Sequence, residues 1–289
     1  MPTKGEKDAV TGRETTGHEW DGIRELNTPL PRWWLYVFYA SIAFAVGYGV
    51  LYPSVPWLHG HFAGLLGYTN RNAVAEEMAA VAQRQAPIIE RIRTSDLTAI
   101  RSDPQLFAFA VAGGKAAFAD NCVPCHRAGG AGAPGFPTLA ADRWLWGGTL
   151  ETIHQTISHG VRNDDPDSHQ SAMPRFGLDG MLTAAQISDV ADYVRSLSGH
   201  AGPAGAIERG AKIFAENCAL CHGETGKGNR DVGAPDLTAK ISLYGSDRAT
   251  VVDVITRARA GSMPSWSRRL DPVTIKMLTM YVHSLGGGE

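Results

Sequence analysis

Apolar and polar positions divide the chain into four stretches. Residues 1–32 are polar and charged with no period of a helix or a strand, and Asn27–Pro31 reads as a turn, so they predict an arm without a core of its own. From Trp33 to Tyr52 no side chain is charged over 20 positions. A helix of that length is about 30 Å long, the thickness of a bilayer core. Trp33, Trp34 and Tyr36 at one end, with Tyr52 and Trp57 at the other, are side chains suited to the membrane–water boundary. Pro53 and Pro56 stop the helix. From Arg71 to Leu106 alanines alternate with Glu76, Glu77, Arg84, Glu90, Arg91 and Arg93. That pattern predicts one or two amphipathic helices acting as a solvated spacer.

Beyond residue 110 the pattern repeats. GKAAFADNCVPCH at 114–126 matches GAKIFAENCALCH at 210–222, and PTLAADRWLWG at 137–147 matches PDLTAKISLYG at 235–245. Met-Pro recurs at Met173 and Met263, and ISDVADYVRSLSG at 187–199 echoes IKMLTMYVHSLGG at 275–287. Ordered matches of this kind predict two copies of one fold, joined by the Gly/Pro-rich link 198–206. The expected organisation is arm 1–32, transmembrane helix and exit 33–57, helical linker 58–109, first domain 110–200 and second domain 205–289. Gly114 and Phe118 precede Cys122 by eight and four residues, as Gly210 and Phe214 precede Cys218. On a helix such positions share one face. The expected core of each domain is that helix crossed by the domain's own last helix, through Tyr193 and Leu197 or Tyr281 and Leu285. Met277 and Met280 read as core.

Composition narrows the function. The 289 residues carry a net charge of −2 and are 44% hydrophobic, so a nucleic-acid surface is not indicated. Basic minus acidic residues give −3 for 110–200 and +2 for 205–289. The acid cluster Asp164, Asp165 and Asp167 is a candidate for steering a basic partner, or a solvated loop. Arg24 and Arg32 precede the apolar run and no basic residue follows until Arg71. The positive-inside rule then places the N-terminus in the cytoplasm and the rest across a bacterial inner membrane, in the periplasm. A cleaved signal peptide does not fit the long, charge-balanced segment before the run.

All four cysteines lie in the two repeated words, each Cys-x-x-Cys-His. This is the attachment motif of c-type haem. Two thiols add to the vinyl groups along one porphyrin edge, and the adjacent histidine ligates the iron. Cys122, Cys125 and His126 are therefore assigned to one covalent haem c, and Cys218, Cys221 and His222 to a second. A shared zinc site would need the two pairs 15–20 residues apart rather than about 90, and a redox dithiol would need a βαβ setting. The candidate sixth ligands are Met173 for the first iron and Met263 for the second, each in Met-Pro before a final helix. A thioether favours ferrous iron. His154, His159 and His169 lie near Met173 and stand as alternative ligands for the first iron.

The surroundings resemble class I cytochrome c. That resemblance implies a loop-proline carbonyl, Pro137 or Pro235, against the other nitrogen of each histidine. Trp146 and Tyr244, nine residues after each proline, are candidates to cover a haem propionate, or plain core. The stretch HEWDGIRELNTPLPRWWLYVFYASIAFAVGYGVLYPSVP and the later GYTNRNAVAEEMA closely resemble the FixP/CcoP family, the membrane-anchored di-haem subunit of cbb3-type cytochrome c oxidases. The fold so implied is mostly α: one N-terminal transmembrane helix, a helical linker and two tandem class I cytochrome c domains. The implied role is an electron relay from a soluble or membrane donor cytochrome to the catalytic haem-copper subunit, through a mono-haem cytochrome c subunit. Oxygen reduction and proton pumping then belong to the complex, since this chain has no O2-reducing site. His18–Asp21 is implied to dock on the catalytic subunit. The rival readings are a di-haem peroxidase and the electron-donor subunit of another membrane reductase or dehydrogenase.

Overall fold

The computed structural model describes residues 5–240, 242–286 and 288–289, without the side chain of Trp57. The chain divides into a unit ending at Arg84 and a unit from Gln85 to Glu289.

The first unit holds more structure than its sequence pattern announces. Strands β1 (Thr15–Trp20) and β2 (Ile23–Leu26) pair antiparallel, with Trp20 opposite Ile23 and Thr15 opposite Leu26. Asp21 and Gly22 turn the hairpin at φ 52° and 85°. Two left-handed residues are what a two-residue hairpin turn needs, and Asp-Gly is a preferred pair for it. The arm therefore holds a hairpin where only a turn at 27–31 was expected. Helix α1 (Arg32–Leu51) follows, and its apolar surface is unburied along its whole length, as a membrane span requires. Two short strands, β3 (Pro56–Trp57) and β4 (Gly60–His61), pair antiparallel beyond it.

Helix α2 (Asn70–Thr94) begins in the first unit and ends in the second. Helix α3 (Leu97–Ser102) starts on an Asp96 cap and α4 (Pro104–Asn121) on an Asp103 cap, whose carboxylates accept from backbone N–H groups one turn on. The expected solvated spacer is only partly that. Ile92, Ile100 and Leu106 are buried in one cluster with Val273 and Met280. The Lys276 ammonium donates to the carbonyls of Ile92, Arg93 and Ser95 at 3.2, 2.9 and 2.6 Å, closing the C-terminus of α2.

The remaining helices are α5 (Val123–His126), α6 (Leu150–His159), α7 (Ala184–Leu197), α8 (Ala204–Asn217), α9 (Ala219–His222), α10 (Arg248–Arg257) and α11 (Pro272–Leu285). Their pairing departs from the expectation of two self-contained domains at 110–200 and 205–289. Helix α4 crosses α11, and α7 crosses α8. A Cβ on Gly114 would meet the carbonyl of Met277, and one on Gly210 would meet that of Asp189, so each helix pair touches backbone to backbone. Phe118 packs on Tyr281 at 5.2 Å between ring centroids and 60° between planes; Phe214 packs on Tyr193 at 5.2 Å and 55°. Helix α6 lies on α11, and α10 on α7. The Gly/Phe face of each repeat was read correctly. Its partner is the last helix of the other repeat.

The short link explains part of this exchange. Only residues 198–203 separate α7 from α8, and a connection that short favours antiparallel neighbours. The crossing strands are fastened together. Val161 and Met263 exchange both backbone hydrogen bonds, at 3.0 and 2.9 Å. The Arg162 Nε donates to Gly261 O at 2.7 Å, and Asn163 Nδ2 to Met263 O at 2.7 Å. Gly160, at φ 72°, lies against the carbonyls of Met263 and Pro264 where a Cβ would go. The acid cluster belongs to this fastening. Asp165 is buried, accepts from Ser265 Oγ at 2.8 Å and from the Asp167 N–H at 2.9 Å, and lies 3.2 Å from His159 Nδ1. Asp164 pairs with Arg268 at 3.1 Å.

Candidate haem-iron centres

Each Cys-x-x-Cys-His word is built the same way. Cys122 ends α4 and Cys218 ends α8, and one helical turn, α5 or α9, carries the second cysteine and the histidine. The chain then reverses through Arg127 at φ 60° or Gly223 at φ 75°. The loop folds back so that Gly132 N–H donates to His126 O and Gly228 N–H to His222 O, both at 2.8 Å. This brings Pro137 O to 3.0 Å from His126 Nδ1 and Pro235 O to 3.1 Å from His222 Nδ1. A carbonyl only accepts, so Nδ1 carries the proton in both rings and Nε2 keeps its lone pair for a metal. Burial lowers the pKa of both histidines, against the opposing effect of the proline carbonyls. Burial thus favours the neutral ring, the state that ligates.

Burial, and then the neighbouring Cys125, push the Cys122 thiol up to about 11; burial and then Cys221 do the same to Cys218. The two cysteine pairs lie in different halves of the exchanged core, so they do not come together as one four-thiolate site.

The second word opens on an apolar cavity lined by Val190, Phe214, Val251 and Ile255 together with Cys218, Cys221 and His222. Met173 lines the same cavity. This departs from the expectation that Met173 accompanies the first word, and the cause is the exchange of α7 and its preceding loop. Met263 is tied instead to Val161 at the end of α6. Trp266, three residues on, packs among Phe118, Cys122, Ile153 and Ile157 of the first word's core.

The three histidines near Met173 are otherwise engaged or set apart. His159 lies against Asp165 and Asp167. His169 Nε2 is 3.0 Å from Thr156 Oγ1, and its ring stacks on Trp146 at 4.3 Å and 10°. His154, on α6, is half-buried and does not line the His222 cavity. Tyr244 does line that cavity, but Trp146 is the stacking partner of His169 and abuts Gly233.

Two polar groups were missed from the sequence. Among the described residues the buried Nε1 of Trp144 has no hydrogen-bond partner. An indole N–H buried against the first word's core and left unpaired is costly in the protein alone and fits a polar group of a prosthetic group. Arg162, from the first repeat, lines the second word's cavity and is desolvated there. No pairing rule in one repeat points to a residue from the other. Tethering thiols, neutral histidines with Nε2 free, an apolar cavity and an orphan donor together fit haem c.

Comparison with known proteins agrees along the chain. A family model for the N-terminal domain of cytochrome oxidase-cbb3, FixP, matches residues 12–59, a cytochrome c model matches 111–198, and a model for subunit III of cbb3-type cytochrome c oxidase matches 205–282. A cbb3-type cytochrome c oxidase subunit FixP from Azorhizobium caulinodans is 54% identical over 98% of this chain and 96% of its own length. A FixP from Bradyrhizobium sp. (strain ORS 278) is 52% identical over 100% of both, and a CcoP from Cereibacter sphaeroides 51% over 95% of both. With two cytochrome c domains behind an apolar helix and relatives at about half identity over their full length, this chain belongs to the FixP/CcoP family of cbb3-type cytochrome c oxidase subunits.

Proposed function

We propose that this chain is the membrane-anchored electron relay of a cbb3-type oxidase, carrying two covalently bound haem c groups. It takes electrons from a soluble or membrane donor cytochrome c. It passes them, through the mono-haem cytochrome c subunit, to the catalytic haem-copper subunit. Helix α1 spans the bacterial inner membrane with its N-terminus cytoplasmic and the haem-bearing unit periplasmic. The observation that carries this reading is the pair of Cys-x-x-Cys-His turns, each with its histidine Nδ1 on a proline carbonyl, with one wholly unburied apolar helix among the described residues.

Haem c, attached when each thiol S–H adds across a vinyl double bond, supplies a one-electron Fe(III)/Fe(II) couple. The protein's part is to hold and to shield. Pro137 and Pro235 fix the histidine tautomers and ring orientation. Met173 and Met263 would each offer a thioether to a haem iron. Phe214, Val190 and Ile255 keep water from the second centre, and a histidine with a thioether would leave an iron no open position for substrate. Deleting the gene should abolish cytochrome c-dependent oxygen uptake in membranes, with the catalytic subunit's haem b absorbance retained. Unchanged uptake refutes the role.

A further inference from the structure

We infer that the membrane-embedded part of the chain runs on past α1: residues 53–68 form a foot at the headgroup–acyl boundary of the leaflet where α1 ends, with phospholipid as its partner. This rests on the reading that α1 spans the membrane.

Three observations carry it. The first is composition. No Asp, Glu, Lys or Arg occurs from Trp33 to Asn70. About 20 residues cross a bilayer core, and α1 already supplies them at Leu51. The charge-free run continues for 19 residues more.

The second is exposure. Val55, Leu58, Phe62, Leu65 and Leu66 are 49–89% exposed. Five large apolar side chains left open within 12 positions mark a surface that is covered in use. The segment has no charged group with which to set the register of a protein partner, whereas lipid needs none.

The third is how α1 ends. A helix leaves its last carbonyls without partners of its own, and at an aqueous end water takes them. Here the following segment takes them. Ser54 Oγ donates to Gly49 O at 2.8 Å, Leu65 N–H to Val50 O at 3.0 Å and Leu66 N–H to Leu51 O at 3.1 Å, after Tyr52 N–H has closed on Tyr48 O at 2.9 Å. A lipid setting demands that every backbone group be bonded within the protein; an aqueous one does not. The same bonds fold residues 62–66 back against the end of α1, so the foot cannot stand away from the membrane. Gly64 permits the approach: it sits at φ 76°, and a Cβ there would meet Leu51 O. Strands β3 and β4 pair with each other, and Ser54 N–H to Phe62 O at 3.1 Å and Phe62 N–H to Val55 O at 2.9 Å extend the ladder. Tyr52 and Tyr68 then pack edge to face at 5.7 Å, and tyrosine is a side chain of the membrane–water boundary. The foot thus sets the depth at which the chain leaves the membrane.

The test uses the full-length chain, loaded with haem, in phosphatidylcholine vesicles. Thioether bonds to haem occupy the four native cysteines, so an introduced cysteine is the one free thiol for a nitroxide label. Leu58→Cys, Leu65→Cys and Leu66→Cys report on the foot, Phe44→Cys on the middle of α1, and Glu77→Cys on the exposed surface of α2. The readout is spin-relaxation enhancement by oxygen, which partitions into lipid, against a water-soluble nickel chelate. The foot labels should lose most of the chelate enhancement seen at position 77 and gain oxygen enhancement toward that at 44. Foot labels as open to the chelate as position 77, with position 44 still shielded, overturn the foot and leave the span intact. A label at 44 that is open to the chelate overturns the span itself, and the foot with it. Foot labels open to the chelate in vesicles but shielded and immobile in the intact oxidase also overturn the proposal, because the cover is then protein.

Discussion

The exchange of last helices predicts which aromatic pairs are energetically coupled. Phe118 is 2% exposed and Tyr281 8% exposed, with ring centroids 5.2 Å apart and planes at 60°. Tilted pairs at this separation are worth about 0.5–1.5 kcal/mol beyond the area they bury. Changing either ring to leucine keeps much of the volume, which limits collateral repacking to about 1.5 kcal/mol or less. A double-mutant cycle of Phe118→Leu and Tyr281→Leu should therefore return a coupling of about 1 kcal/mol. The cycle of Phe118→Leu with Tyr193→Leu should be additive within about 0.3–0.5 kcal/mol, because Tyr193 packs on Phe214 in the other half. The assay is guanidinium unfolding of the haem-loaded full chain in detergent, followed by circular dichroism. A coupling on Phe118/Tyr193 with none on Phe118/Tyr281 would show two self-contained domains and refute the exchange.

Lys276→Met removes the cation that holds three carbonyls at the end of α2; it should cost about 1–3 kcal/mol and speed amide hydrogen exchange in residues 88–96. Asp192 is buried and held by Arg248 at 2.8 and 3.0 Å, and that bond keeps its carboxyl below the ordinary value, against desolvation. Its stabilising contribution should be complete above pH ~4 and fall away as pH drops through the lowered folded value; a midpoint-against-pH series in which Asp192→Asn flattens the acid limb checks this. Phe44→Arg at the middle of α1 should disfavour insertion by about 3 kcal/mol, read as chain released from membranes by alkaline carbonate.

Much of the chemistry was legible because its signals are local. Cys-x-x-Cys-His and the charge-free run at 33–52 each act within one turn or one span, so spacing alone carries them, whereas the proline 11 or 13 residues after each histidine came with the resemblance to class I cytochrome c. The Gly114/Phe118 and Gly210/Phe214 faces were legible for the same reason. What lay beyond reach was which copy each face meets. Tyr193 and Tyr281 occupy equivalent positions, and the two crossings have nearly the same geometry. Either pairing satisfies both faces, so no hydrophobic pattern distinguishes them. The discriminating groups are at the crossover, where Arg162, Asn163, Asp165 and Ser265 bond between segments about 100 positions apart. A second miss was compositional. Asp21-Gly22 was a hairpin signal inside a stretch read as an arm without period or core, and its flanking strands are too polar to show a period.

The exchange also bears on how a relay of this kind works. Tandem domains joined by residues 198–203 alone would be expected to move against each other. Here the two repeats cannot part without breaking the α4–α11 and α7–α8 crossings, since each half is made from both repeats; motion of one half against the other would leave both crossings whole and is opposed instead by contacts between their loops. The loops around the two centres meet in matching contacts. Gly135 N–H donates to Leu243 O at 2.7 Å and lies beside Tyr244, while Gly233 lies against Trp146, and Arg143 pairs with Asp236 at 3.2 Å. Gly135 is two residues from the proline that holds His126, and Gly233 two from the proline that holds His222. The elements that orient the two histidines are thus bonded to each other. In the proposed relay the spacing between irons is set by the folded core rather than by a hinge, so transfer between them should proceed at one rate at any solvent viscosity. A rate for flash-induced electron redistribution that falls with added glycerol would show that the halves move and that the core does not fix the path.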